Sequence, residues 1–311
     1  MAVAQIFAEE PGEMIVNEKP MKSSGSEMEP AAMRTRGRVP WILLAVGLLL
    51  PSAITWVYFV ALAEQASGLQ QLAYGLGKGA QFLLPIVAVW FWGEWKRGML
   101  PAVPESDAGR EPDVSGRGMR QSSSPGLGVG TSDGVERRGR VANFRREWLI
   151  AILLGCVVSL VMMVLYFAFL LPGGGMEQAK REGMAKLEAL GIGSPAALLL
   201  VAAFYAFLHS GFEEFYWRGF VFQGLRQYSP LPVAIVLSSL GFMAHHVLVL
   251  GKFFGYDSPN TYFFSLSIAV GGGAWAWIVS RTDSLAPSWI SHGIIDAAIF
   301  LIALHLIFFA S

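Results

Sequence analysis

The chain has 311 residues, 54% of them hydrophobic and only 15% charged, with a formal net charge of +0. An ordinary soluble domain carries about 25% charge, and a neutral chain without a basic stripe offers nothing for a nucleic-acid partner. The single cysteine, Cys156, excludes an internal disulfide and a multi-thiolate metal centre.

The first 38 residues are polar, running from Glu9, Glu10, Glu13, Glu18, Glu27 and Glu29 to Arg34, Arg36 and Arg38. They read as a disordered cytoplasmic arm without the short apolar stretch of a signal peptide. Residues 39–93 hold two membrane helices, about 40–63 and 72–92, the first interrupted by Pro51. Residues 94–147 are rich in Gly, Ser and Pro and read as a flexible cytoplasmic loop with basic flanks. Residues 148–194 supply a third membrane helix and an interfacial segment around Met176, Leu187 and Leu190. Four further helices follow at about 196–225, 231–250, 262–279 and from Pro287 or Ser288 onward. The expected fold is an all-α polytopic transmembrane bundle of about seven helices. Arginines placed by the positive-inside rule predict a cytoplasmic N-terminus and an external C-terminus. A bacterial inner membrane suits that topology.

Ionisable side chains inside such apolar sequence are costly and mark function. Six of them, Glu213, Glu214, Arg218, His246, His292 and Asp296, fall in three segments. In "HSGFEEFYWRGFVFQGL", Glu214 and Arg218 stand four apart, on one helix face, and can pair. Glu213 points about 100° away with no partner at helical spacing, as a general base would. A plain ion pair at a helix end is the bland alternative. In "LSSLGFMAHHVLVLGKFF", His245 and His246 are adjacent, so one is expected to face the bundle and the other a neighbouring helix or headgroups. Spacing does not choose between them, and a membrane histidine is often only an interhelical hydrogen-bonder. In "APSWISHGIIDAAIF", Pro287 and Ser288 suit a helix start, and His292 and Asp296 share a face. That pair could simply tie its helix down. The glycines 271–273 permit close helix approach and lack the lysine of a phosphate loop.

Together the three segments resemble the CAAX-protease and bacteriocin-processing family of intramembrane glutamic proteases, the Abi proteins. Two glutamates with an arginine four beyond the second appear as "EEFYWR", Phe-x-x-x-His as "FMAHH", and His with Asn or Asp four later as "HGIID". The resemblance spans roughly residues 195–305, and 195–311 would form the catalytic domain. It implies Glu213 as catalytic base and selects His246 over His245 as its water-activating partner. It implies His292 and Asp296 as oxyanion or water-positioning groups, and Glu214 and Arg218 as supports. Eukaryotic relatives carry Asn where this chain has Asp296. An ionised Asp cannot donate to an oxyanion, so Asp296 is expected to accept from His292 and fix its tautomer. The implied reaction is direct attack of water on a peptide bond of a membrane-reaching substrate, with no cofactor and no metal. Two readings compete. One is a metal-dependent hydrolase, although no His-Glu-x-x-His is present. The other is a non-proteolytic membrane protein: an immunity factor, a chaperone or a proton-coupled transporter.

Overall fold

The computed structural model describes residues 38–63, 65, 67–92 and 132–310, with the side chains of 67, 89, 91, 92 and 132–144 left out of the description. Every regular element among the described residues is a helix. The N-terminal arm and the glycine-rich part of the long loop lie outside them. We label the helices α1 (Trp41–Ala61), α2 (Ser67–Trp92), α3 (Ser132–Leu165, continued by Tyr166–Leu170), α4 (Glu177–Ala189), α5 (Pro195–Leu225), α6 (Leu231–Phe254), α7 (Pro259–Thr282) and α8 (Ala286–Phe308).

Six of these are long and apolar enough to cross a bilayer: Trp41–Ala61, Arg145–Leu170, Pro195–Leu225, Leu231–Phe254, Pro259–Thr282 and Ala286–Phe308. The chain is therefore read as an integral membrane protein. The seventh expected span corresponds to α2, a 26-residue helix that falls short of the others in apolarity. Gln70, Gln71, Lys78 and Gln81 all stand in it. Residues 132–147, expected at the end of the loop, continue α3 as helix. The outward faces carry large apolar side chains, for example Leu160, Leu200, Leu266 and Val270. Hydrocarbon, unlike water, tolerates such faces, and helices satisfy their own backbone within it.

Local chemistry sets the helix starts. Ser194 accepts from the Ala197 N–H at 3.2 Å and Pro195 occupies the first turn of α5. Ser258 and Pro259 repeat the arrangement at α7. At α8 the expected cap shifts. Ser284 takes the Ala286 N–H at 3.3 Å, whereas Ser288 lies inside the helix and donates to Leu285 O. The interfacial helix α4 ends on Gly191, whose φ of +69° favours glycine.

α5 is helical without a break from Pro195 to Leu225. It contains two π-helical stretches, Tyr205–His209 and Phe215–Phe222, flanking the short α-helical turn Ser210–Glu214. Such wide turns are rare and occur often at functional sites. Its second half is the core of the bundle: Tyr216, Trp217, Phe220 and Val221 pack with Leu44, Phe242, Trp275 and Ile278. Tyr216 donates its buried hydroxyl to Gly47 O at 2.7 Å, tying α5 to α1.

Glycines let the helices close around this core. A Cβ on Gly293 of α8 would stand 2.3 Å from Ala206 O of α5. One on Gly241 of α6 would stand 2.9 Å from the Trp217 ring. Small residues at such crossings are the usual way for membrane helices to approach.

Candidate active site

α5 contributes two carboxylates facing different partners, as their 100° offset requires. Glu214 is buried and accepts from Arg218 Nη1 at 2.9 Å across one helical turn. The guanidinium also lies 4.5 Å from the Phe242 ring centre and 4.9 Å from that of Trp275, so aromatic faces cover its remaining charge. Gly272 makes room for it, since a Cβ there would stand 3.0 Å from Arg218 Nη2.

Glu213 sits among histidines from three helices. His209 Nε2 of α5 and His245 Nε2 of α6 each lie 3.8 Å from its Oε1. His292 Nε2 of α8 lies 3.8 Å from its Oε2. These distances exceed direct hydrogen bonding. They suit a shared water, which can contact two polar atoms 3.8 Å apart at normal hydrogen-bond length.

Both adjacent histidines of α6 reach this carboxylate. Ligand atoms of Glu213, His245 and His246 all lie within 4.8 Å of one another. The expectation that only one could face the site is therefore corrected. Their rings, with centres 4.0 Å apart, converge on Glu213 from neighbouring positions of the helix. They differ in tautomer control and contacts. His246 Nδ1–H donates to Phe242 O at 2.8 Å, which leaves Nε2 as an acceptor. His245 instead stacks on Trp217 with an interplanar angle of 2°.

His292 is held differently from expectation. Its Nδ1 is 3.0 Å from Glu214 Oε1, and because a carboxylate only accepts, His292 is the donor. Asp296 Oδ1 is 3.7 Å from Nε2, beyond a hydrogen bond. Glu214, not Asp296, fixes the ring. A helical spacing of four brought Asp296 close, but α8 packs so tightly on α5 at Gly293 that Nδ1 meets Glu214 first. Trp275 stacks on the other face of His292, 4.4 Å away, and donates its Nε1–H to Ser291 Oγ at 3.0 Å.

Burial varies across the site. Glu213, Glu214 and Arg218 are buried, whereas the side chains of His209 and Asp296 retain 17% and 15% of their surface. Tyr205 lies beside His209, the ring centres 4.6 Å apart. Lys78 of α2 approaches through Phe82. Its ammonium is 5.6 Å from the Phe82 ring centre, and that ring meets His209 at 6.3 Å. Sequence reading missed His209, Tyr205 and Lys78. His209 stands four before Glu213, a spacing that could have been noticed. Nothing in sequence connects Lys78 to α5.

Residues 194–298 match the model of one family, described as Rce1-like, type II CAAX prenyl endopeptidase Rce1-like. This segment is Rce1-like. Comparison with curated proteins and with solved structures yields no match. Glu213, Glu214, Arg218, His245, His246, His292 and Asp296 all belong to the Rce1-like segment, and so does His209. Lys78 and Phe82 lie outside it. Among the described residues, Glu213, His245 and His246 could hold a metal ion, since their ligand atoms all lie within 4.8 Å of one another.

Proposed function

We propose that the protein is an intramembrane endopeptidase of glutamic type that hydrolyses a peptide bond by direct attack of water. The observation that carries this reading is the Glu213 carboxylate ringed at 3.8 Å by three imidazoles from three helices. It is supported by the Rce1-like character of residues 194–298, a family of endopeptidases.

Glu213 accepts a proton from the attacking water. His246 Nε2, an acceptor by virtue of the bond from its Nδ1–H to Phe242 O, accepts a hydrogen bond from the second water hydrogen and aims the lone pair at the scissile carbonyl. His245, stacked on Trp217, braces the other side of Glu213. Glu214 and Arg218 form the support behind His292, whose Nε2 faces both Glu213 and Asp296. Collapse of the tetrahedral intermediate returns the proton from Glu213 to the leaving amine. The substrate is a peptide or protein segment that reaches the membrane, a precursor or a C-terminal segment. A bacterial inner membrane with the N-terminus inside is the setting we infer.

The test is a comparison of peptide termini in membrane fractions from cells making wild-type protein or Glu213→Gln at equal abundance. Uncut precursor accumulating with the variant is the expected result. Identical termini would favour a non-proteolytic role such as transport or chaperoning.

A second reading, metal-dependent hydrolysis, is favoured by the grouping of Glu213, His245 and His246. A tetrahedral zinc site needs ligand atoms about 2.0–2.2 Å from the ion, so the three would have to draw closer. Cleavage that survives a chelator and is not raised by added zinc removes this alternative.

A further inference from the structure

Two imidazoles approach the same oxygen of Glu213, and the steps above use neither as an acid or a base. His209 Nε2 and His245 Nε2 both stand 3.8 Å from Oε1, one from the preceding turn of α5 and one from α6. Their surroundings differ. The His245 side chain keeps 4% of its surface and lies flat against Trp217 in the core. The His209 side chain keeps 17%, so it is the one of the two that a bound peptide can reach.

The nitrogens of His209 are also held differently. His246 gives its Nδ1–H to Phe242 O and His292 gives its Nδ1–H to Glu214, which fixes both tautomers. Among the described residues, neither nitrogen of His209 has a hydrogen-bond partner. Aromatic contacts place the ring instead. Tyr205 lies 4.6 Å away, and Phe82 of α2 meets the imidazole edge-on at 6.3 Å. Tyr205 in turn packs on Phe300 of α8 at 4.9 Å. The backbone supports the same placement. His209 closes the π-helical stretch Tyr205–His209, whose Phe207 O accepts from Trp289 Nε1 of α8 at 2.8 Å and whose Ala206 O accepts from Ser210 Oγ at 2.7 Å. An imidazole oriented by packing, with both nitrogens free, is able to gain a proton and to give one up.

We propose that His209 is a catalytic residue, the acid that hands the leaving amine the proton Glu213 took from water. This assignment rests on the proteolytic reading given above and deepens its last step. Water oxygen bonds to the carbonyl carbon as one of its O–H bonds breaks, and that proton goes to Glu213 Oε1. The carbonyl π electrons move onto oxygen. The proton then crosses the 3.8 Å gap, which one water spans, to His209 Nε2. Glu213 is again a carboxylate and stands beside an imidazolium, and opposite charges attract strongly where water is scarce. The amide nitrogen takes the proton from Nε2–H through its lone pair. The C–N bond breaks, its electrons leave with the amine, and the oxyanion electrons re-form the carbonyl. One carboxylic acid and one amine result, and both side chains return to their starting states.

The experiment uses the purified full-length protein in lipid nanodiscs. The probes are two internally quenched random-sequence peptide pools, one wholly of amides and one with its central amide replaced by a thioester. A thiol, with a pKa of about 8.5, departs as its anion, whereas an amide nitrogen must be protonated to leave. His209→Gln should lower the apparent kcat about 100-fold or more on the amide pool, the range for acid–base groups, and less than about fivefold on the thioester pool. His209→Phe keeps the ring contacts but carries no proton, and should match His209→Gln. Recovery of amide cleavage in His209→Phe overturns the assignment, because packing alone would then explain the ring. Unchanged amide cleavage in His209→Gln overturns it, and so do equal losses on the two pools. Misfolding would also strike both pools alike, so thermal unfolding of the two variants is measured and the better-folded one decides. Glu213→Gln runs alongside and should lose both pools. If that variant remains active, or the wild type leaves the amide pool uncut, the proteolytic reading falls and the role of His209 with it. If Glu213→Gln is inactive while His209→Gln loses both pools equally, the proteolytic reading stands and only the assignment of His209 fails.

Discussion

The Nδ1–H of His292 donates to Glu214 Oε1 across 3.0 Å, and the same oxygen accepts from Arg218 Nη1 at 2.9 Å. One carboxylate oxygen thus joins α5 to α8 and fixes the orientation of an imidazole beside Glu213. All three side chains are buried. Removing one member of such a set leaves a charge or a donor stranded in a low dielectric, which costs more than the set itself contributes.

Arg218→Met should therefore destabilise the protein by about 3–5 kcal/mol, because Glu214 is left charged and uncompensated. The double variant Glu214→Gln with Arg218→Met should regain most of that loss. Thermal unfolding in detergent, followed by helical circular dichroism, measures both. A double variant as unstable as the single one would mean that the pair acts through packing, not charge.

Asp296→Asn should leave activity within about tenfold of wild type, about 1.4 kcal/mol at most in barrier. Its carboxylate sits 3.7 Å from His292 Nε2, while Glu214 already fixes the ring. Initial rates of cleavage decide the matter. Complete loss would show that the charge of Asp296, rather than its shape, is required.

His245→Ala and His246→Ala should not be equivalent. His246 presents an acceptor nitrogen whose tautomer is set by Phe242 O, so its loss should reduce kcat by about 100-fold or more, within the range for acid–base groups. His245 stacks on Trp217 in the core, so its loss should lower stability as well as rate. Measuring kcat and melting temperature for both separates the two roles. A larger rate loss in His245→Ala, at equal stability, would reverse the assignment.

Gly293→Ala tests the helix crossing that builds the site. The added methyl would stand 2.3 Å from Ala206 O, so α8 must move. Overpacking of this kind costs about 1–3 kcal/mol. Because the neighbouring residue is His292, activity should fall further than stability alone accounts for. Gly271→Ala is the control, having open space around it, and should behave as wild type.

Much of the fold could be read from apolar run lengths, because a bilayer imposes a fixed span on helices. α6, α7 and α8 lie within a few residues of their expected bounds. α2, Ser67–Trp92, contains its expected span of 72–92, although Lys78 and Gln81 stand within it. Within the site, pairs on one helix were legible from spacing: Glu214 with Arg218 is the clear case. Contacts between helices were not. Nothing local says that His292 meets Glu214 before Asp296, because that order depends on how closely two helices approach at a glycine. Nor could spacing reveal that adjacent histidines converge, or that Phe82, more than a hundred residues upstream, packs beside His209.

The two π-helical stretches of α5 act as a phase adjustment along a 31-residue rod. Each wide turn closes its hydrogen bonds one residue later than an α-helix, so side chains beyond it are rotated from where an uninterrupted helix would aim them. Deleting one residue within Tyr205–His209 would let that turn relax to ordinary pitch. Everything N-terminal to the cut would then swing around the helix axis relative to Glu213, although no functional side chain need be altered. Length variation at this point is thus a means of re-aiming the upstream wall of the site while its chemistry is kept.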